Sequence, residues 1–452
     1  MKSINPATGE LIREYRDHSP QDVLKIIENV HVEWLTWKER TFEDRAALMI
    51  KAARFLRMKK EEYARLITME MGKLIKESMA EIEKCAWAFE FYANHAAGML
   101  KDEVIETDAH HSFVTFQPMG VILAVMPWNF PFWQVIRFAA PSLMAGNAAV
   151  LKHASNVPGC ALAVEQIFHE AGFPQNVFRT LMIPSGDVDA VISHPLIAAV
   201  TLTGSEAAGS HVASVAAKHI KKSVLELGGA DPFIVLDDAD MDMAVDTAVK
   251  ARMVNMGQSC IAAKRFIVMD SVVQQFEKSM KSAFESLRIG DPMDPETQVG
   301  PMARQDMVDE IELQVSSSVA AGARLVTGGH RPDRQGCYFE PTILCDVVEG
   351  MPVFSQETFG PVASIITVRD EEEAVRIANV SEFGLGGCVW TRDLKRGEKI
   401  ARQVETGAIF VNEMTRSDPR LPFGGIKKSG YGRELSSYGI KEFVNIKTIW
   451  IG

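Results

Sequence analysis

The sequence predicts an α/β fold built on a doubly wound parallel sheet and preceded by a helical segment. Two observations carry this expectation. From residue 112 onward, short apolar runs alternate with helix-length stretches, and residues 20–100 hold apolar side chains at three-to-four spacing. The closing EFVNIKTIWIG adds a third, since it alternates as one strand at the chain end.

Taken in order, the helical segment contains AALMIKAARFLRMKKEEYARLITMEMGKLIKESMAEIEKCAWAFEFYANHA, an array of amphipathic helices with Lys and Glu on the outer faces. At SFVTFQP the period drops to two. GVILAVMP is then a continuous apolar run, the pattern of a strand covered on both faces. AAVLK is followed by a helix from about 158 to 171, VFRTLMIP by a short helix near Val188, and AAVTLTG by a helix from Ser205 to Lys218. SVLELGG and PFIVLDD continue as strands. A second alternating region runs from KRFIVMD to GAIFVNE, with helices at about 271–287, 303–321 and 371–378. The terminal strand needs a partner, which is either a neighbouring subunit or an edge of the chain's own sheet.

Composition narrows the function classes. The 452 residues suffice for two or three domains, and 47% apolar with 24% charged residues is ordinary for a globular protein. A net charge of -11 without any Lys/Arg stripe argues against nucleic-acid binding. The six cysteines are scattered, with no C-x-x-C pair and no zinc spacing, so no metal site is expected and a reducing compartment is. MKSINPATGE lacks an apolar signal core. The most apolar stretch, Val121 to Val150, is interrupted by Pro127, Asn129, Pro131, Arg137 and Pro141, so no membrane span is expected and a cytoplasmic location is.

Three stretches carry chemistry. LTGSEAAG sets Gly204 and Gly209 between a strand and a helix, where the helix N-terminus can receive an anion; an ordinary turn looks the same. Glu226 follows Gly204 by 22 positions, near the spacing of a ribose-binding acid. Gly228 and Gly229 behind it fit instead a carboxylate presented where backbone and substrate come close. VNMGQSCIAAKRF places Cys260 behind a Gly-Gln-Ser turn, where it is either a packing residue or a nucleophile.

PWNFP (127–131), VLK (150–152), TGS (203–205), LELGG (225–229), GQSC (257–260), ETFGPV (357–362) and PFGGIKKSGYGRE (422–434) stand in the order and at the approximate intervals of the aldehyde dehydrogenase superfamily. The chain resembles that superfamily over essentially its whole length. KHASNVPGC and SDPRLPFGG bring it nearest to the short succinate-semialdehyde dehydrogenases. The resemblance implies an aldehyde dehydrogenase-like fold: a Rossmann-type cofactor domain (1–100 and 119–228), an α/β catalytic domain (229–432) and a small β oligomerisation element (101–118 and 433–452). It also implies a homodimer or homotetramer.

By the same resemblance Cys260 attacks the aldehyde carbon, giving a thiohemiacetal that loses hydride and a thioester that is hydrolysed. Glu226 matches the general base. Asn129 matches the oxyanion-hole amide, whose loss typically costs roughly 100–1,000-fold in rate. Lys152 matches the adenosine-ribose lysine and Ser205 a residue near the pyrophosphate. Glu357 matches the nicotinamide-ribose carboxylate and Phe359 a ring beside the nicotinamide, while Trp128, Gly204 and Leu227 belong to the same cofactor motifs. NAD-preferring members often carry a glutamate three positions after the lysine. Ser155 stands there and removes its repulsion of a 2′-phosphate, with His153 as a possible added charge, so NADP or NAD is the expected cofactor.

A helix starting near Pro131 puts Trp133, Gln134 and Arg137 on one face, which by resemblance lines the aldehyde tunnel. An arginine in an apolar tunnel needs an anion, supplied by a substrate carboxylate or by a protein acid. Ser417 and Arg420 are candidates for a second contact. The implied reaction is NAD(P)-dependent oxidation of succinate semialdehyde. Glutarate semialdehyde or another short aliphatic aldehyde is the alternative, and a retired relative with a structural or binding role is the alternative of another class. A CoA-acylating enzyme fits less well, because it would leave Glu226 without work.

Overall fold

The computed structural model describes residues Met1–Gly452. A six-stranded sheet runs in the order Gly430–Tyr431, Lys222–Glu226, Ile197–Thr203, Val121–Met126, Ala148–His153, Phe178–Thr180. All its neighbours are parallel except the outer pair, Gly430–Tyr431 against Glu226 and Leu225. The continuous apolar run at Val121–Met126 has a direct physical reason. Ile122 and Ala124 join one core, with the helices Phe42–Met58, Ile75–Met99 and Trp133–Met144. Val121 and Leu123 join another, with Pro20–Trp37 and Glu206–Lys218. Both faces are covered, so neither tolerates polar alternation.

Between Glu226 and Pro232 the chain crosses to a seven-stranded sheet. Its order is Arg324–Thr327, Thr342–Cys345, Val362–Val368, Arg265–Met269, Pro232–Val235, Cys388–Trp390, Phe410–Val411, parallel except at the first pair. It too has a core on each face: Ile234, Ile267 and Val389 on one, Phe233, Phe266 and Trp390 on the other. Observed helices at Pro158–Glu170, Val188–Ser193, Asp270–Glu285, Gln305–Ala320 and Glu371–Asn379 fall where the periodicity puts them.

The terminal strand Val444–Ile451 finds its partner within the chain. It pairs antiparallel with His111–Pro118 from end to end, and its other edge stays open. The Lys2–Ile4 and Leu11–Glu14 hairpin had no signal in the periodicity. No helix is long and apolar enough to cross a membrane.

Candidate active site

Cys260 sits in a braced loop. Asn255, Met256 and Gly257 have φ of 50°, 59° and 73°, three successive left-handed residues that two side chains tolerate only because the surroundings hold them. At Gly257 a Cβ would lie 2.1 Å from the Gly360 carbonyl oxygen, so glycine is required for space as well as conformation. The buried Arg252 donates through Nη2 to the Gly257 carbonyl at 2.8 Å. Lys264 donates to the carbonyls of Ser259 (2.9 Å), Cys260 (2.7 Å) and Ala262 (3.2 Å), with Glu357 3.7 Å away. The Cys260 backbone N–H has no acceptor in the chain. Asn129 packs beside it, with Nδ2 donating to the Gln258 carbonyl at 3.0 Å and Oδ1 unpartnered. Burial pushes the Cys260 thiol up to about 12, against the opposing charges of Arg137 and Lys264.

Cys260 lies where two cavities meet. The larger, about 1050 Å³, is lined by Trp128, Asn129, Gly204, Ser205, Leu227, Glu357 and Phe359 among others. Trp128 and Phe359 meet edge to face at 5.9 Å. Ser205 caps the helix Glu206–Lys218, its Oγ accepting from Ala208 N–H at 3.3 Å, which leaves the first helical N–H groups without intrahelical acceptors. Glu357 accepts from the Gly229 N–H at 2.9 Å.

Lys152 and Ser155 stand at and just beyond the carboxyl end of Ala148–His153, outside the lining of this cleft. Lys152 is buried and makes no hydrogen bond or ion pair within the chain, whereas Ser155 is exposed. His153 does not add charge. Its Nδ1 accepts from the Ala154 N–H and Nε2 lies 2.8 Å from the Pro131 carbonyl; burial pushes its pKa down to about 4, so the ring is neutral.

The smaller cavity, about 230 Å³, is lined by Trp133, Arg137, Ser417, Phe423, Ile261 and Lys84, with Cys260 also in its lining. Arg137 reaches it, but the anion that offsets Arg137 belongs to the protein. Its Nε pairs with the buried Glu434, Nη2 donates to Thr203 Oγ1 at 3.3 Å, and the guanidinium lies 4.7 Å from the Phe423 ring centre. Burial of Arg137 is thus offset within the chain, while its side chain still forms part of the cavity lining. Arg420 is exposed, forks onto Asp418 at 2.8 and 2.6 Å, and lines neither cavity. Arg137→Ala would leave Glu434 buried and unpaired, so a stability loss of about 3–5 kcal/mol is expected. A urea midpoint unchanged from the parent would contradict that.

Glu226 lines neither cavity. Its carboxyl is 2% exposed and turned under Gly424, where a Cβ would meet Oε1 at 2.7 Å. Both oxygens lack hydrogen-bond partners. Burial, then the nearby Glu434 charge, holds its pKa well above the carboxylate range. The segment Phe423–Glu434 builds this wall: Phe423 and Glu434 exchange backbone hydrogen bonds, and Ser429 Oγ donates to the Gly228 carbonyl at 2.6 Å. Sequence reasoning missed Lys84, Lys264 and the role of Glu434. Glu434 lay in plain view at the end of PFGGIKKSGYGRE, but its partner is Arg137 and no local spacing links them.

Comparison with known proteins gives one answer. The Aldehyde dehydrogenase family model matches residues 1–449. A Synechocystis sp. protein, named as a probable NADP(+) succinate-semialdehyde dehydrogenase, is 51% identical over 449 residues, 99% of each chain. Succinate-semialdehyde dehydrogenase (NADP(+)) 1 of Mycobacterium tuberculosis is 47% identical over 452 residues, again 99% of each. The crystal structure of succinic semialdehyde dehydrogenase from Streptococcus pyogenes, in complex with NADP+, superposes with a TM-score of 0.98 at 39% identity, covering 100% of this chain and 99% of that one. The chain belongs to the aldehyde dehydrogenase family.

Proposed function

We propose that this protein oxidises succinate semialdehyde to succinate with NADP, through a thioester on Cys260. The observation that carries the reading is the position of Cys260 at the junction of the two cavities. One has the walls of a dinucleotide site: open helix N–H groups, the Glu357 carboxylate and, beyond its rim, the unpartnered Lys152. The other is smaller than the roughly 300–1,000 Å³ typical of drug-sized ligand sites, which suits a short aldehyde.

The Cys260 thiol first gives its proton to solvent water, and the resulting thiolate adds to the aldehyde carbon, its S–C bond forming as the carbonyl π pair moves to oxygen. The nascent oxyanion is held by the free Cys260 N–H and the Asn129 amide, donors whose positions are already fixed. A nicotinamide cofactor, when bound, supplies the hydride acceptor. Glu226 then takes a proton from the water that attacks the thioester, releasing the acid and returning the sulfur. Its buried setting is a resting state for the protonated form. Rotation towards Cys260 brings the carboxyl into the wetter cleft, which lowers its pKa and makes it a base.

NADP is favoured by the names of the relatives and by Ser155, which offers no carboxylate against a 2′-phosphate. With His153 neutral, Lys152 remains as the cation for that end of the cofactor. Ser155→Glu is expected to shift the NADP/NAD ratio of kcat/KM towards NAD, by about tenfold if the charges approach closely. An unchanged ratio would mean the 2′ position is read elsewhere. We also assign a homo-oligomer, supported by the open edge of Val444–Ile451 with Ile446 and Trp450 exposed, and a cytoplasmic location, supported by six free cysteines.

The test is appearance of reduced cofactor with succinate semialdehyde, glutarate semialdehyde and butyraldehyde, each with NADP and NAD. Preference for glutarate semialdehyde or for butyraldehyde would replace the substrate, and no turnover with any would leave a structural or binding role.

A further inference from the structure

We infer that Lys84 binds the remote carboxylate of the substrate, with the Ser417 hydroxyl beside it, an inference that rests on the anionic short aldehyde proposed above. Lys84 comes from the helix Ile75–Met99 and reaches the same cavity as Cys260. Its ammonium lies 4.4 Å from the Trp133 ring centre and donates to Ser417 Oγ at 2.7 Å. It has no other hydrogen bond and no carboxylate within ion-pair distance.

Every other cation around this cavity is paired with a carboxylate. Lys73 pairs with Glu81, whose other oxygen accepts the Phe132 and Trp133 N–H groups at 2.9 Å. Glu77 accepts the Asn255 N–H at 3.2 Å. Arg137 pairs with Glu434, and the exposed Arg416 with Glu413 at 3.6 Å. Lys84 alone keeps a positive charge in a mostly apolar pocket, held by one hydroxyl and an indole face. Such a charge is poorly solvated, and an anion entering the pocket gains what water no longer supplies.

Geometry adds the donors. An ammonium has three N–H groups, and only one is used on Ser417. The Ser417 hydroxyl accepts that bond and so keeps its own O–H to give. A carboxylate arriving here meets donors of both kinds, charge-assisted and neutral. Arg137 retains only Nη1 without an acceptor, and its charge is already offset.

The same setting gives a pH signature. Burial, then the Arg137 charge, pushes the Lys84 ammonium down to about 8, while Cys85, Glu81 and Asp418 act in the opposite sense. Arg137 faces it from the helix Trp133–Met144, Glu77, Glu81 and Cys85 from its own helix, Arg416 and Asp418 from the loop that holds Ser417, and Cys260 from the lining of the same cavity. Cys260 titrates in the reaction of every aldehyde, so a ratio between two aldehydes removes it.

The experiment is steady-state kinetics of the full-length enzyme on succinate semialdehyde and on butyraldehyde, which has the same carbon number and no charge. Lys84→Met is expected to lower the ratio of their kcat/KM values by about 30-fold or more, chiefly through KM for the charged aldehyde. Lys84→Arg should recover most of it. In the parent enzyme the ratio should fall as pH rises through about 8, and in Lys84→Met it should be flat. A parental ratio in Lys84→Met, or no fall with pH in the parent, overturns the role of Lys84. A parent enzyme with no preference for the charged aldehyde overturns the substrate reading itself, and the two failures are told apart by the parent alone.

Discussion

Cys260→Ala is expected to abolish dehydrogenase turnover, by on the order of 1,000-fold or more, while the affinity for NADP stays near that of the parent. The loop around Cys260 is held by contacts that do not involve its sulfur: the Lys264 ammonium on three carbonyls, Arg252 on the Gly257 carbonyl, and the left-handed run at Asn255–Gly257. Removing Sγ therefore deletes the proposed nucleophile and leaves its frame. Cys260→Ser should also be severely impaired, since a hydroxyl without a dedicated base is a poor nucleophile.

The sign of the pH dependence follows from the same site. With the thiol pushed up to about 12, the reactive thiolate is scarce at neutral pH and its fraction grows as pH rises. Alkylation of Cys260 by iodoacetamide in the enzyme without cofactor should accelerate with pH across the neutral and alkaline range. A rate independent of pH there would show a thiolate already formed. Turnover of Cys260→Ala at the parental rate would remove the cysteine from the mechanism altogether.

Much of this site was legible as sequence because its parts sit at strand ends. Glycines and short polar residues break the apolar runs where strands stop, so TGS and LELGG announce themselves, and the parallel sheet brings their ends together. What stayed hidden depends on contacts between distant segments. Arg137 could be seen to need an anion, but its protein partner, Glu434, is delivered by a bridge to Phe423 near the other end of the chain. Lys84 looked like any lysine on an amphipathic helix; only the packing of Trp133 over that helix makes it an interior charge. His153 sat next to Lys152 in sequence, yet a strand alternates its side chains, and His153 turns inward to the Pro131 carbonyl.

Glu226→Gln should separate the two halves of the reaction. The expected result is a burst of about one equivalent of reduced cofactor per site, followed by steady-state turnover lower by about 100-fold or more. Glutamine matches glutamate in shape. Because neither Glu226 oxygen holds a hydrogen-bond partner in its buried position, the substitution breaks no existing bond there. The effect is then chemical: an amide cannot accept the proton of the attacking water, so the thioester forms and waits. The competing assignment, Glu226 as a ribose ligand, predicts a raised KM for the cofactor with no burst followed by a stall. It is disfavoured by position, since Glu226 lies outside the lining of the larger cavity and Glu357 is the carboxylate within it. A Glu226→Gln enzyme that shows only the KM effect would transfer the water-activating role to another group, and the buried Glu434 beside it would be the next residue to replace.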